Sequence, residues 1–151
     1  MNVHLTAMQS ADVVEVKALE DILFPVDAWT QDMFHNELIE VGISREVMVA
    51  RLAGKIVGYV SLRYVGDEGD VVTIAVDESA QKQGIGTVMM DWLETAALAQ
   101  GVKELFLEVR SDNIPAVAMY LARDFERIDL RRNYYGTGVD AYVMRKRLNR
   151  G

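Results

Sequence analysis

The sequence predicts an α/β protein of the α+β kind, a mixed β-sheet with helices on its faces. Three observations point there. Stretches that alternate in period two, or are continuously apolar, interchange with stretches whose apolar residues recur every three to four positions. Their order reads β, α, α, three strands, α, β, α, β, β, which makes about seven strands and four helices. Half of the 151 residues are hydrophobic, which suits a single domain over residues 1–151 with a substantial core.

"VHLTAM" alternates weakly and opens the chain as a strand. Ser10 stands before "ADVVEVKALEDILF", where Val13, Val16, Ala18, Leu19, Ile22 and Leu23 recur near helical spacing. "PVDAW" breaks that helix, and Thr30 is placed to cap a second, "QDMFHNELIE". "VMVARLAGKIVGYVSLRYV" reads as two strands turning at Ala53–Lys55. "DVVTIAV" is a continuous apolar run, as expected of a central strand buried on both faces. Ile85, Val88, Met89, Trp92, Leu93 and Ala96 share a helix face that Gly101 ends. "KELFLEVR" is a strand. "SDNIPAVAMYLARDF" supplies a capping cluster, a proline tolerated in the first turn, and a helix. "ERIDLRRNYY" and "DAYVMRKRL" close the chain as two strands around a glycine-containing loop.

Composition excludes several classes. The 16 basic and 23 acidic residues leave a net charge of -7, which argues against a general nucleic-acid binder and suits a basic polypeptide partner. Without cysteine there is no disulfide, thiolate nucleophile or cysteine zinc site. The two histidines, His4 and His35, have no ligand-spaced neighbour, so no metal is expected. The N-terminal residues lack the pattern of a signal peptide and no stretch suits a membrane span, so a cytoplasmic location is expected.

"VDESAQKQGIGTVMMDWLETAALAQG", Val76–Gly101, sets Gly84 and Gly86 where a helix begins. Glycine is costly to a helix, so it marks either a structural turn or a close approach by another group. A helix opening after a buried strand can hold an anion on its first N–H groups. Two phosphate loops do not fit. A P-loop has Lys then Ser or Thr after its last glycine, whereas Thr87 and Val88 follow Gly86. The dinucleotide fingerprint has a third small residue where Met89 stands.

Gln81-Lys82-Gln83-Gly84-Ile85-Gly86 resembles the Q/R-x-x-G-x-G/A motif of the GNAT superfamily of N-acetyltransferases. The resemblance implies that residues Gln81, Lys82, Gln83, Gly84, Ile85, Gly86 and Thr87 bind the pyrophosphate of acetyl-coenzyme A. "TIAVD" resembles the family's splayed central strand, whose backbone, here at Ile74, Ala75 and Val76, pairs with the pantetheine arm. The likeness covers nearly the whole chain in element order and is densest from Val71 to Tyr135. "TIAVD", "QKQGIG", "LEVRSDN", "AVAMY" and "RRNYY", in this order, resemble the bacterial ribosomal-protein-alanine N-acetyltransferases, the RimI group. Two departures stand out. That group's "YESLGF" is replaced by Tyr120-Leu121-Ala122-Arg123-Asp124-Phe125, which loses the glycine before Phe125, and "FPVDAW" is longer than its "FPW".

Strand alternation in "KELFLEVR" puts Leu105, Leu107 and Val109 on one face and Phe106, Glu108 and Arg110 on the other. A carboxylate there suits a solvated face or a pair with Arg110, or else a general base. The resemblance implies the base, taking the proton of the substrate ammonium through water. Tyr120, beside Val117 and Leu121, suits a core; the resemblance implies that its phenol donates to the departing sulfur. Asn113 suits a helix cap and, by resemblance, also binds coenzyme A. Trp29, Arg131, Asn133, Tyr134 and Tyr135 are implied to wall the peptide groove. Because an acyl-cysteine is impossible, direct transfer in a ternary complex is expected. The implied substrate is a basic protein N-terminus, the alanine of a small-subunit ribosomal protein. A polyamine acetyltransferase or a non-catalytic acyl-coenzyme A sensor are the alternatives, and the presence of both Glu108 and Tyr120 weighs against the sensor.

Overall fold

The computed structural model describes residues 2–148. β1 (Val3–Ala7) pairs antiparallel with β2 (Arg45–Leu52), and β2 with β3 (Lys55–Val65). β4 (Glu68–Val76) runs parallel to β5 (Glu104–Arg110). β7 (Ala141–Arg147) lies antiparallel to β5, and β6 (Glu126–Arg131) antiparallel to β7. The result is a seven-stranded mixed sheet in the order β1-β2-β3-β4-β5-β7-β6. Four helices accompany it: α1 (Val13–Leu23), α2 (Gln31–Ile39), α3 (Ile85–Ala99) and α4 (Ile114–Ala122). The described residues form two compact units. One takes the chain up to Arg63 with Val72–Ala96; the other takes Tyr64–Val71 and the chain from Ala97 onward.

In the first unit, Leu52 faces Lys55 across Ala53 and Gly54, whose φ angles are 51° and 81°. Two consecutive left-handed residues give the hairpin turn that matches strand twist, which is why the chain reverses at Ala53–Lys55. Thr30 caps α2, its hydroxyl accepting the Met33 N–H at 3.1 Å. The core joins Val13, Val16 and Leu19 of α1 to Phe34 of α2, Val47 and Val49 of β2, and Ile56 and Tyr59 of β3. At Gly58 an added Cβ would lie 2.8 Å from the Ala75 carbonyl oxygen, so close approach of backbone requires glycine there.

Three expectations for this unit are corrected. α1 begins at Val13 rather than directly after Ser10. Ser10–Asp12 form a 3-10 turn, with Asp12 accepting the Gln9 N–H at 2.8 Å and pairing with Arg51 of β2 at 2.7 Å, so the tie to β2 sets where the helix starts. Ala18 and Ile22 do not join the buried stripe, and Ile22 is 70% exposed. At 100° per residue the stripe through Val13, Val16 and Leu23 includes Glu20 instead, which is 3% exposed. Val72, Thr73, Ile74 and Val76 are half-buried rather than covered on both faces. The β4–β5 ladder pairs Glu68–Asp70 with Glu104–Phe106 and, among the described residues, extends no further along β4.

In the second unit, Leu105, Leu107 and Val109 are buried and fix the rotation of β5. Gly101, at φ 82°, ends α3: its N–H bonds to Leu98 O and the Val102 N–H to Ala97 O, each at 3.0 Å. Asn113 caps α4 by accepting the Ala116 N–H at 3.3 Å, with Pro115 in the first turn. The α4 exit repeats the Gly101 geometry without glycine. Asp124 takes φ 73°, its N–H bonds to Leu121 O at 3.1 Å and the Phe125 N–H to Tyr120 O at 3.0 Å. Leu121, expected to share a stripe with Tyr120, is exposed because that turn faces solvent. "ERIDLRRNYY" is a strand only to Arg131. Asn133 turns left-handed at φ 53°, accepts the Gly138 N–H at 2.6 Å and donates its own N–H to Asp140 at 2.9 Å, which folds the chain into a loop.

Asp124→Gly should therefore stabilise the protein. A left-handed non-glycine residue costs about 1–2 kcal/mol, and the greater freedom of glycine in the unfolded chain returns about half of that. A net gain of about 0.5–1 kcal/mol, a rise in Tm of roughly 2 °C, is expected by calorimetry. A lower Tm would show that the aspartate side chain itself supports the turn.

Candidate active site

The first unit carries the glycine loop. The Asp77 N–H bonds to Val57 O at 2.7 Å, and the Asp77 carboxylate accepts both the backbone N–H and the hydroxyl of Ser79 at 3.0 Å. The Ser79 N–H above all holds this carboxyl below the usual range. The Gln81 amide donates to Val76 O at 3.0 Å and the Gln83 amide to Ser79 O at 3.4 Å, so both side chains brace the loop. Lys82 and Gly84 take φ 65° and 82°, and α3 begins when the Val88 N–H reaches Gly84 O at 3.0 Å. The next N–H groups, of Ile85, Gly86 and Thr87, precede the first intrahelical bond and have no acceptor within the helix. The first turn of α3 contains no acidic residue. An added Cβ at Gly84 meets nothing within 4 Å, so its glycine is required by the positive φ rather than by crowding.

The same unit holds Trp29. Its backbone N–H donates to Glu20 Oε2 at 2.9 Å, while the Tyr59 hydroxyl donates to Glu20 Oε1. Burial first, then the bond to Glu20, pushes the Tyr59 phenol far above its ordinary value. Trp29 packs on Phe34 with centroids 5.1 Å apart, and Phe34 meets Tyr59 edge-on at 5.7 Å. Sequence reading passed over Glu20; its place one turn after Val16 on an apolar stripe was the available signal.

The second unit brings together Glu108, Tyr120, Arg131, Tyr134 and Tyr135. Glu108 lies opposite Val143 on β7, on the outward face of β5. Its partner is Arg131 at the end of β6, not Arg110, and Glu108 raises the nearby Tyr134 phenol above its ordinary value. Arg110 instead forks onto Asp112 through Nε and Nη2, at 3.0 and 3.1 Å, and lies 5.5 Å from the Tyr135 ring centroid. The Arg131 guanidinium sits over the Tyr134 ring at 4.5 Å, and Tyr134 meets Tyr135 edge-on at 5.0 Å. Tyr120 is buried on α4 against Phe125, at 5.6 Å. Burial, and to a lesser degree Tyr135, raises its phenol above the ordinary value. Asn133 serves the loop as described, and Asn113 the α4 cap. The Arg131–Glu108 pair escaped sequence reading because a separation of 23 positions conceals the β5-β7-β6 order that joins them.

Such a cluster has one outward carboxylate able to take a proton and one buried phenol able to donate a hydrogen bond. No group of three metal-ligating side chains occurs among the described residues, and no helix there is long and apolar enough to cross a membrane.

Residues 15–125 match the model of the Acetyltransferase (GNAT) family. The chain is 37% identical over 150 residues to the N-alpha-acetyltransferase RimI of Mycobacterium tuberculosis, covering 95% of this chain and 92% of that one. It is similar in structure to the ribosomal-protein-S18-alanine N-acetyltransferase of Escherichia coli, with a TM-score of 0.88 at 26% identity over 99% of this chain and 96% of that one. Ard1 of Thermoplasma volcanium is similar too, at a TM-score of 0.90 and 25% identity over 99% of both chains.

The Tyr134 phenol tests the cluster by titration. The Glu108 carboxylate favours the neutral phenol and repels the phenolate, so it raises Tyr134. Glu108→Gln removes the charge, and Tyr134 should then ionise at lower pH. A 13Cζ-tyrosine NMR titration, with Tyr134→Phe identifying the signal, reads the change. An unmoved or rising midpoint would contradict the contact.

Proposed function

The chain belongs to the Acetyltransferase (GNAT) family, and from that premise we propose that it moves acetyl from acetyl-coenzyme A to the N-terminal α-amine of a protein beginning with alanine or another small residue. The observation that carries this reading is the outward Glu108 carboxylate, held by Arg131 on the same unit as the buried Tyr120 phenol. The relatives named for N-alpha and for ribosomal-alanine acetylation support it.

The donor substrate fits the first turn of α3. Ile85, Gly86 and Thr87 offer N–H groups at the positive end of the helix, no acidic residue opposes an anion there, and Lys82 is exposed in the same loop. Gln81 and Gln83 act by bracing that loop, and the backbone of Ile74, Ala75 and Val76, outside the β4–β5 ladder, suits an extended amide arm. When bound, the thioester supplies the acetyl group. Glu108 takes the proton that the attacking ammonium must lose, directly or through water, and Tyr120 donates a hydrogen bond where negative charge grows on sulfur. Asn113 contributes a further polar group at the head of α4. Trp29, Tyr134 and Tyr135 contact the peptide, with Asn133 holding their loop and Arg131 placed beside them on Glu108. The lack of cysteine leaves direct transfer to the amine.

The proton arithmetic favours the α-amine. With a pKa near 8, roughly one α-amine in ten is neutral at pH 7, against about one lysine side chain in 2,500. A single carboxylate is a modest base and suits the former. The net charge of -7 favours a basic polypeptide, such as a small-subunit ribosomal protein, at long range.

Three variants separate the roles. Gly86→Asp suits the positive end of α3 but repels an anion, so acetyl-coenzyme A affinity should fall at least tenfold with Tm kept. Glu108→Gln should lower turnover by roughly a hundredfold, the usual scale of general-base catalysis, with acetyl-coenzyme A affinity kept. Tyr120→Phe should also lower turnover with binding kept. Wild-type calorimetric titration by Gly86→Asp, or near-wild-type rates in both other variants, would sink these assignments.

Substrate choice is read by competition between two peptides of one basic sequence. One has a free N-terminal alanine and blocked lysines; the other has a blocked N-terminus and free lysines. Tandem mass spectrometry should place the acetyl group on alanine. Preferential labelling of lysine, or faster turnover of spermidine, would overturn the reading in favour of another amine.

A further inference from the structure

Glu108 is an acceptor with a cation already on it. Arg131 donates from Nη1 to its Oε2. Among the described residues the Arg131 contact is a single N–H···O bond, not the two-bonded fork that a guanidinium prefers. Arg110 supplies the contrast, gripping both oxygens of Asp112. The Arg131 side chain is 51% exposed and that of Glu108 31%, and ion pairs in such surroundings are weak. The guanidinium also has a second seat, over the Tyr134 ring. Arg131 can therefore leave the carboxylate without leaving the cluster.

We infer that Arg131 is a positioning residue, and that its guanidinium and the α-ammonium of the substrate alternate at one place on the Glu108 carboxylate. The inference rests on the reading of Glu108 as the base. Arg131 holds the carboxylate in one rotamer, aimed at the place where a cation is to bind. An arriving ammonium replaces the guanidinium, which stays on Tyr134. One proton then passes from the ammonium nitrogen to a Glu108 oxygen, and the neutral amine keeps its lone pair for attack.

This arrangement has an opposed kinetic signature. Removing the cation removes a competitor, so the ammonium should bind more tightly; it also removes the guide for the carboxylate, so turnover should fall. Damage to the structure would weaken both. Arg131→Met keeps the length of the stem without the charge, and Arg131→Lys keeps the charge.

The test is calorimetric titration of a free-amine peptide into the protein saturated with coenzyme A, beside steady-state kinetics. Arg131→Met should bind that peptide about two- to fivefold more tightly than wild type, the scale of an exposed ion pair, and have kcat lowered about tenfold. An N-terminally acetylated peptide should bind both proteins equally. Arg131→Lys should restore wild-type peptide affinity and part of kcat. Unchanged or weaker binding of the free-amine peptide by Arg131→Met, or an unchanged kcat, overturns the inference. Should the wild-type protein acetylate lysine or spermidine in place of the α-amine, the substrate reading fails, and the same titration with that amine decides the role of Arg131.

Discussion

The rotation of one strand sets the chemistry of the second unit. Leu105, Leu107 and Val109 are buried, so β5 has a single way to lie, and alternation turns Glu108 outward. Pairing with β7 sets Glu108 opposite Val143, and pairing of β7 with β6 sets Arg131 opposite Ala141. A slip of one residue would exchange the faces, burying a carboxylate and exposing three apolar side chains. Burying each such side chain is worth about 1.5–3 kcal/mol, and burying an unpaired carboxylate costs more, so the register is strongly held. The precision of an outward site is thus supplied by apolar residues that do not belong to it.

The first unit solves a different problem with a carboxylate. Glu20 is buried in the core, where an unpaired charge would be untenable. Both of its oxygens have donors: the Tyr59 hydroxyl on β3 and the Trp29 backbone N–H in the connection between α1 and α2. Such a link is directional where apolar contact is not. It fixes the connection to the strand beneath it at the point where "FPVDAW" carries extra length. Removing either donor would leave a buried acceptor unsatisfied, a loss of about 1–3 kcal/mol or more for a charged group. The Trp29–Phe34–Tyr59 ring contacts then pack around a position the hydrogen bonds have already set.

Much of this was legible from local chemistry. The Thr30 and Asn113 caps, the reversal at Ala53–Lys55 and the end of α3 at Gly101 depend on a few adjacent residues, and each appears as read. The family motif located the glycine loop, but not the division of labour in which Gln81 and Gln83 hold the loop together. What escaped was non-local. The start of α1 depends on Arg51, thirty-nine residues beyond Asp12. Glu108 was weighed against its neighbour Arg110, whereas a partner from β6 reaches it. Asp124 hid a left-handed turn that glycine would have announced, because the hydrogen bonds across the helix end override the preference of one residue.

The proposed hydrogen-bond donor and base are housed in opposite surroundings, and this bears on what each can do. Glu108 is outward and partly solvated, so a proton it takes can be passed on to water. Tyr120 is buried, and burial raises its phenol above an ordinary value already near 10. A thiol has a pKa of about 8.5, so complete transfer of the phenol proton to a thiolate runs uphill. In the proposed reaction Tyr120 therefore acts as a hydrogen-bond donor whose bond strengthens as charge gathers on sulfur, not as an acid that ends up ionised. Burial favours that role: it keeps the phenol neutral, excludes competing water and strengthens the bond in a low dielectric. A solvated tyrosine would exchange protons more readily but would hold the developing charge less firmly, and holding that charge is the part of the task that lowers a barrier.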